Sequence, residues 1–152
     1  MQDNSRNIYY NARHTAGLTQ ERWAEMLGLS VEAVRQYETD KITPSDEVVQ
    51  RMAEVAMLPA LCYWHICRKS RRLAKGVLPE VERLPLPQAV VQLLAGIRGF
   101  EVHHRDDNLL EIAADGRVDQ LEERLFRQIL DELEVIIRAA IQLRYAEEEG
   151  TP

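Results

Sequence analysis

Between Gly17 and Glu38 two short apolar repeats are punctuated so tightly that few arrangements other than two helices meeting at a steep angle can satisfy them. Thr19 places a hydroxyl where a helix start has an unsatisfied backbone N–H, and Ser30 does the same eleven residues later. Gly28 supplies the tight turn between the two, and Leu29 after it can plug the gap between the helices. Ala24 is small enough for a following helix to cross closely over it. On the second helix Val34 and Tyr37 fall on the inward face, which leaves Val31, Glu32, Arg35 and Gln36 outward.

The rest of the chain is read as all-α, because no apolar and polar alternation is sustained and the β-branched residues stand singly in patterns of period three to four. Helices are expected near 5–16, 19–27, 30–38, 45–56 and 60–75, separated at Gly17, Gly28, Asp40 to Pro44 and Pro59. These five form one compact domain over residues 1–76, closed by Gly76 in the left-handed conformation. Pro79, Pro85 and Pro87 make residues 77–87 a stiff connector. Beyond it, Leu86, Val90, Leu93, Ile97, Phe100 and His104 recur at heptad spacing. They predict one long helix to about Ala113, roughly 39 Å at 1.5 Å per residue. Asp115-Gly116 breaks it, Asp119 or Asp115 caps the next, and Leu121, Leu125, Ile129, Leu133, Ile136, Ala140 and Leu143 mark a second helix. Residues 88–152 are thus expected as a long antiparallel helical hairpin.

The residues of the first repeat carry a resemblance. Gly17-Leu18-Thr19-Gln20, Ala24, Leu27-Gly28-Leu29-Ser30, Val34, Tyr37-Glu38, and then Pro44 before a fourth helix with Val48, Met52, Ala53 and Ala56, are similar to the lambda-repressor-like, or xenobiotic-response-element, helix-turn-helix regulators over about residues 6–58. Two departures are visible: Trp23 stands where that family usually has leucine, and Asp40 where it usually has glycine. The resemblance implies a sequence-specific DNA-binding regulator, expected to act as a repressor, with the third helix in the major groove of a double-stranded operator. It implies that Gln20 lies against the DNA backbone. Gln36 would bond an adenine edge, Arg35 would reach a guanine edge or a phosphate, and Val31 would meet a thymine methyl. Thr39 and Lys41 would hold phosphates, and Glu32, on the same face, would repel them.

Charge is distributed unevenly around a net −6: residues 1–58 sum to −3, 59–83 to +4 and 84–152 to −7. The basic run Arg68-Lys69-Ser70-Arg71-Arg72 with Lys75 reads either as a solvated helix end or as a second phosphate clamp. Cys62 and Cys67 sit five apart on a helix, unsuited to a bridge, and are expected as buried thiols. Cys62, His65 and Cys67 fall short of a metal site, and the pair His103-His104 reads as a solvated pair. Asp115 to Asp119 lacks the alternating carboxylates of a calcium loop. No phosphate loop, serine elbow or catalytic carboxylate pair is present, so neither an enzyme nor a bound cofactor or metal is expected.

The opening residues lack a basic and apolar leader and no apolar run approaches a membrane span, so a cytoplasmic protein without membrane contact is expected. Lambda-type domains read two half-sites, so something must pair the subunits. The wide apolar face between Leu121 and Leu143 makes the C-terminal hairpin the expected homodimer element. The alternative is an antitoxin-like or adaptor module whose acidic hairpin grips a protein partner.

Overall fold

The computed structural model describes residues 7–148, and divides into two compact units, one through Leu78 and the other from Pro79. Residues 5 and 6 of the expected 5–16 helix and 149–152 of the expected hairpin lie outside the described residues.

The first unit contains α1 (Ile8–Thr15), α2 (Gln20–Leu27), α3 (Val31–Glu38), α4 (Asp46–Val55), α5 (Ala60–Lys69) and the single turn α6 (Arg71–Ala74). Each of the first four starts on a side chain that can satisfy an orphan N–H: Asn7, Thr19, Ser30 and Ser45 accept from Tyr9, Arg22, Ala33 and Val48. The expected fifth helix is interrupted at Ser70, whose φ of −112° and ψ of 39° are not helical. Tyr9, Ala12, Trp23, Ala24, Leu27, Val34, Val49, Met52, Leu58 and Leu61 fill the core. The indole Nε1 of Trp23 is buried without a hydrogen-bond partner among the described residues, a group that costs about 1–3 kcal/mol to desolvate.

The second unit contains α7 (Leu86–Val102), α8 (Arg105–Ala113) and α9 (Glu123–Arg144). The expected single long helix is broken: His104 adopts φ 50° and ψ 41°, a left-handed conformation that an α-helix cannot continue through. α9 begins later than the carboxylates that were to cap it. The Asp119 side chain accepts from the N–H groups of Leu121 and Glu122, shaping the turn that leads into the helix.

α7 and α9 pack antiparallel, with Pro85 bridged to Glu147 at one end and Gly96 against Ile136 midway. A Cβ added at Gly96 would lie 3.1 Å from the Ile136 side chain, so the missing side chain sets the approach of the helices. Past the break, Arg105 of α8 forks onto Glu132 of α9, its Nη2 2.7 Å from Oε1. That guanidinium holds the Glu132 carboxyl below the usual glutamate range.

Residues 79–85 do not run free as an extended spacer to the end. Leu86 N donates to the Glu147 carbonyl at 2.9 Å, Glu147 N to Leu84 O at 2.8 Å, and Arg83 Nε to Tyr145 O at 3.1 Å. No helix among the described residues is long and apolar enough to cross a membrane.

Candidate nucleic-acid interface

α2 and α3 are joined by the shortest device that can turn a chain sharply. Gly28 closes α2 at φ 66°, ψ 35°, its N–H and that of Leu29 return to the carbonyls of Glu25 and Ala24, and two residues later Ser30 opens α3. Trp23, Ala24 and Leu27 of α2 and Val34 of α3 are buried, while Tyr37 is half-buried. Glu32 and Arg35 are exposed on α3, and Val31 and Gln36 are partly so.

A polar bracket that the spacing did not disclose locks this pair of helices. Arg13 of α1 places Nε 2.6 Å and Nη2 3.0 Å from the two oxygens of Glu38, and Nη1 2.7 Å from the Leu18 carbonyl. The pair is nearly buried, at 10% and 4% side-chain exposure, and the carboxylate raises the Arg13 pKa further above its ordinary value. Gln20 Nε2 donates to the same Glu38 carboxylate at 2.7 Å. Gln20 therefore does not project freely from the start of α2: its amide is tied to the end of α3. The only sequence signal for this was the Tyr37-Glu38 pair, in which Glu38 stood on a helix face otherwise read as inward.

The same C-terminal end of α3 is held a second time from the Asn7 side. Asp40 takes φ 59° in the position where glycine is favoured, and Asn7, which caps α1, donates Nδ2 to the Tyr37 carbonyl at 2.7 Å and to Asp40 Oδ1. Arg68 of α5 is ion-paired with Asp40, and Lys69 lies 2.7 Å from Asp46. The basic run is thus not a wholly solvated helix end, because its first two cations are neutralised by acids flanking the loop between α3 and α4.

Below them His65, 2% exposed, sits between the Tyr9 hydroxyl (2.8 Å from Nδ1) and Asp46 Oδ1 (3.1 Å from Nε2). A carboxylate at Nε2 favours the proton there, leaving Nδ1 to accept from Tyr9. Burial pushes the Tyr9 hydroxyl up to about 12, and hydrogen bonds from Lys69 and His65 hold the Asp46 carboxyl down. Cys62 and Cys67 are unbridged but half-buried rather than buried.

The outward residues of α3 engage one another. Glu32 accepts from Arg35 Nη1 at 3.2 Å and from Gln36 Nε2 at 3.3 Å, and Thr39 Oγ1 donates back to the Arg35 carbonyl at 2.8 Å. Lys41 is exposed beyond the helix end. At the start of α2, the Glu21 carboxyl is held below its ordinary range by its own backbone N–H and by the Thr19 hydroxyl. It stays ionised at neutral pH.

Residues 10–56 match the family model described as helix-turn-helix. No curated protein and no solved structure matches the chain.

Proposed function

Residues 10–56 being a lambda-repressor-like helix-turn-helix domain of the XRE family, which makes the chain a DNA-binding regulator, we propose that it acts in the cytoplasm as a repressor whose α3 reads an operator in the major groove. The observation that carries this reading is the outward face of α3, where Arg35 and Gln36 stand next to each other on a helix whose C-terminal end is held through Glu38 by Arg13 and Gln20 and through the Tyr37 carbonyl by Asn7. Gln36 offers the donor and acceptor pair that matches an adenine edge, and Arg35 the fork that matches guanine or a phosphate. Val31 meets a thymine methyl. Gln20, oriented by Glu38, approaches the phosphate backbone from the start of α2, and Thr39 and Lys41 hold phosphates past the end of α3.

Glu32 holds Arg35 and Gln36 in the free protein, so both must exchange this partner for DNA. The exchange is cheap, because an exposed pair three or four residues apart on a helix is worth only about 0.3–0.5 kcal/mol. What remains is a carboxylate on the reading face, which opposes non-specific phosphate contact and leaves affinity to rest on the bases.

A single short helix covers too few base pairs for useful selectivity, so two copies are required, and the second unit is the element that pairs them. The direct test is a gel shift with the DNA upstream of the protein's own gene at two salt concentrations. A shifted band that weakens with salt and survives competitor DNA supports the reading. No shift at either salt moves the assignment to an adaptor that grips a protein through its acidic second unit.

A further inference from the structure

The second unit has one side that no other described residue of that unit covers. On α7 Gly96 meets Ile136 of α9, and Ala89, Leu93 and Phe100, buried or half-buried, share its stripe at about 100° per residue. About 90° further round the same helix run Leu86, Val90, Leu94 and Ile97, all exposed. α9 repeats the arrangement. Ile136 meets Gly96 and the buried Ile129 shares its stripe; Leu130 and Ile137 lie about 90° further round, 47% and 52% exposed, whereas Ala139 on the opposite flank is 4% exposed. Equal rotational offsets on two antiparallel helices fall on the same side of the pair. The two stripes therefore merge into one apolar face.

We propose that this face binds the same face of a second copy of the chain, stacking α7 and α9 of each into a four-helix bundle. α7 is 17 residues long, so the face is about 25 Å by 20 Å, and two such faces bury roughly 1,000–1,400 Å² in total, which reaches the size of a specific interface. Charge selects the partner and its direction. The face carries acids toward one end, Glu101 of α7 and Glu134 of α9, and a base toward the other, Arg144 of α9. The Pro85 to Glu147 bridge and the Gly96 to Ile136 contact place Glu101 and Arg144 at about equal distances, roughly 10 Å, on either side of the level of Leu94.

A two-fold axis lying across the helices turns the copies end for end, and each end of the bundle then holds Glu101 of one copy beside Arg144 of the other. An axis along the helices would gather the glutamates at one end and the arginines at the other. The end-for-end arrangement is the one assigned, with α7 against α7 and α9 against α9 of the second copy.

This pairing deepens the regulator reading, which needs two copies for two half-sites, but its test requires no DNA. Sedimentation equilibrium of the full chain at micromolar concentration should show a dimer, and Leu94→Glu should give a monomer with unchanged helical circular dichroism. Glu101→Arg and Arg144→Glu should each raise the dimer dissociation constant about threefold to tenfold, and the two together should restore part of the loss, to below the value of Arg144→Glu alone. A monomeric wild type overturns the proposal, as does a dimer that Leu94→Glu leaves intact. If Leu94→Glu unfolds, the charge swap decides alone: single reversals without effect, or a double reversal no tighter than Arg144→Glu alone, overturn the end-for-end pairing. A clean monomer that still binds operator would defeat the pairing and leave the α3 reading standing.

Discussion

Replacing Glu38 by alanine removes one carboxylate and strands three donors. Arg13 is left with 10% side-chain exposure and no counter-charge, and Gln20 loses the acceptor that orients it. Breaking a buried ion pair from one side costs about 3–5 kcal/mol, since the remaining charge stays desolvated. The lower figure applies here, because Arg13 keeps the Leu18 carbonyl. A domain of this size is stable by about 4–10 kcal/mol, so a loss of about 3 kcal/mol is a large part of the total.

The assay is built into the chain: its two tryptophans, Trp23 and Trp64, both lie in the first unit, so tryptophan fluorescence reports that unit's unfolding. With a urea dependence of about 1 kcal/mol per molar, the midpoint of Glu38→Ala should fall by about 3 M. The double variant Arg13→Met with Glu38→Leu removes both charges and should recover most of the loss, leaving about 1 kcal/mol for the unsatisfied Gln20 amide. A single-variant shift under about 0.5 M, or a double variant no better than the single, would refute the argument that an uncompensated buried charge is what matters.

Other expectations follow from the same geometry. The folded Tyr9 pKa of about 12 lies above the ordinary 10, so the stability from keeping its hydroxyl protonated is complete below pH 10 and is lost as pH rises through 12; tryptophan fluorescence should show the first unit weakening in that window, less so in Tyr9→Phe. Glu132 is shifted the opposite way, so its contribution is present above the ordinary glutamate range and lost as pH falls through the depressed value; Glu132→Gln should flatten this acid limb in circular dichroism of the helices. At Asp40, φ 59° penalises alanine more than glycine while both lose the contacts to Asn7 and Arg68, so Asp40→Gly should be the more stable of the two by about 1 kcal/mol in urea melts.

The helix-turn-helix pair was legible because its signals are local. Thr19, Gly28 and Ser30 act within three residues of themselves, and each adopts the cap or turn that its chemistry favours. The bracket of Arg13, Gln20 and Glu38 was not legible, because it joins residues 25 and 18 positions apart whose spacing carries no period. Gln20 illustrates the consequence: its place at the start of α2 was foreseen, its tie to Glu38 was not.

In the second unit the heptad reading found the start of α7 but overran its end, and only Leu93 and Phe100 of its seam lie on the packed stripe. Leu86, Val90 and Ile97 are large and drew the seam toward themselves, but close packing on α9 is set by the small residues Ala89 and Gly96. The break at His104 escaped for a different reason. Neither histidine is a helix breaker by propensity, and the left-handed turn there is followed by the fork of Arg105 onto Glu132, a contact far apart in sequence.

The central claim is that α3 reads base sequence, and selection of binding sites from a random duplex library tests it most directly. The wild-type chain should enrich one motif with two related half-sites, and Gln36→Ala should relax the preference at one position of each half-site, with specific affinity down by about 1–3 kcal/mol and tryptophan fluorescence unchanged. Enrichment of the same motif at the same stringency by Gln36→Ala and Arg35→Ala, or no motif from the wild type, would contradict it.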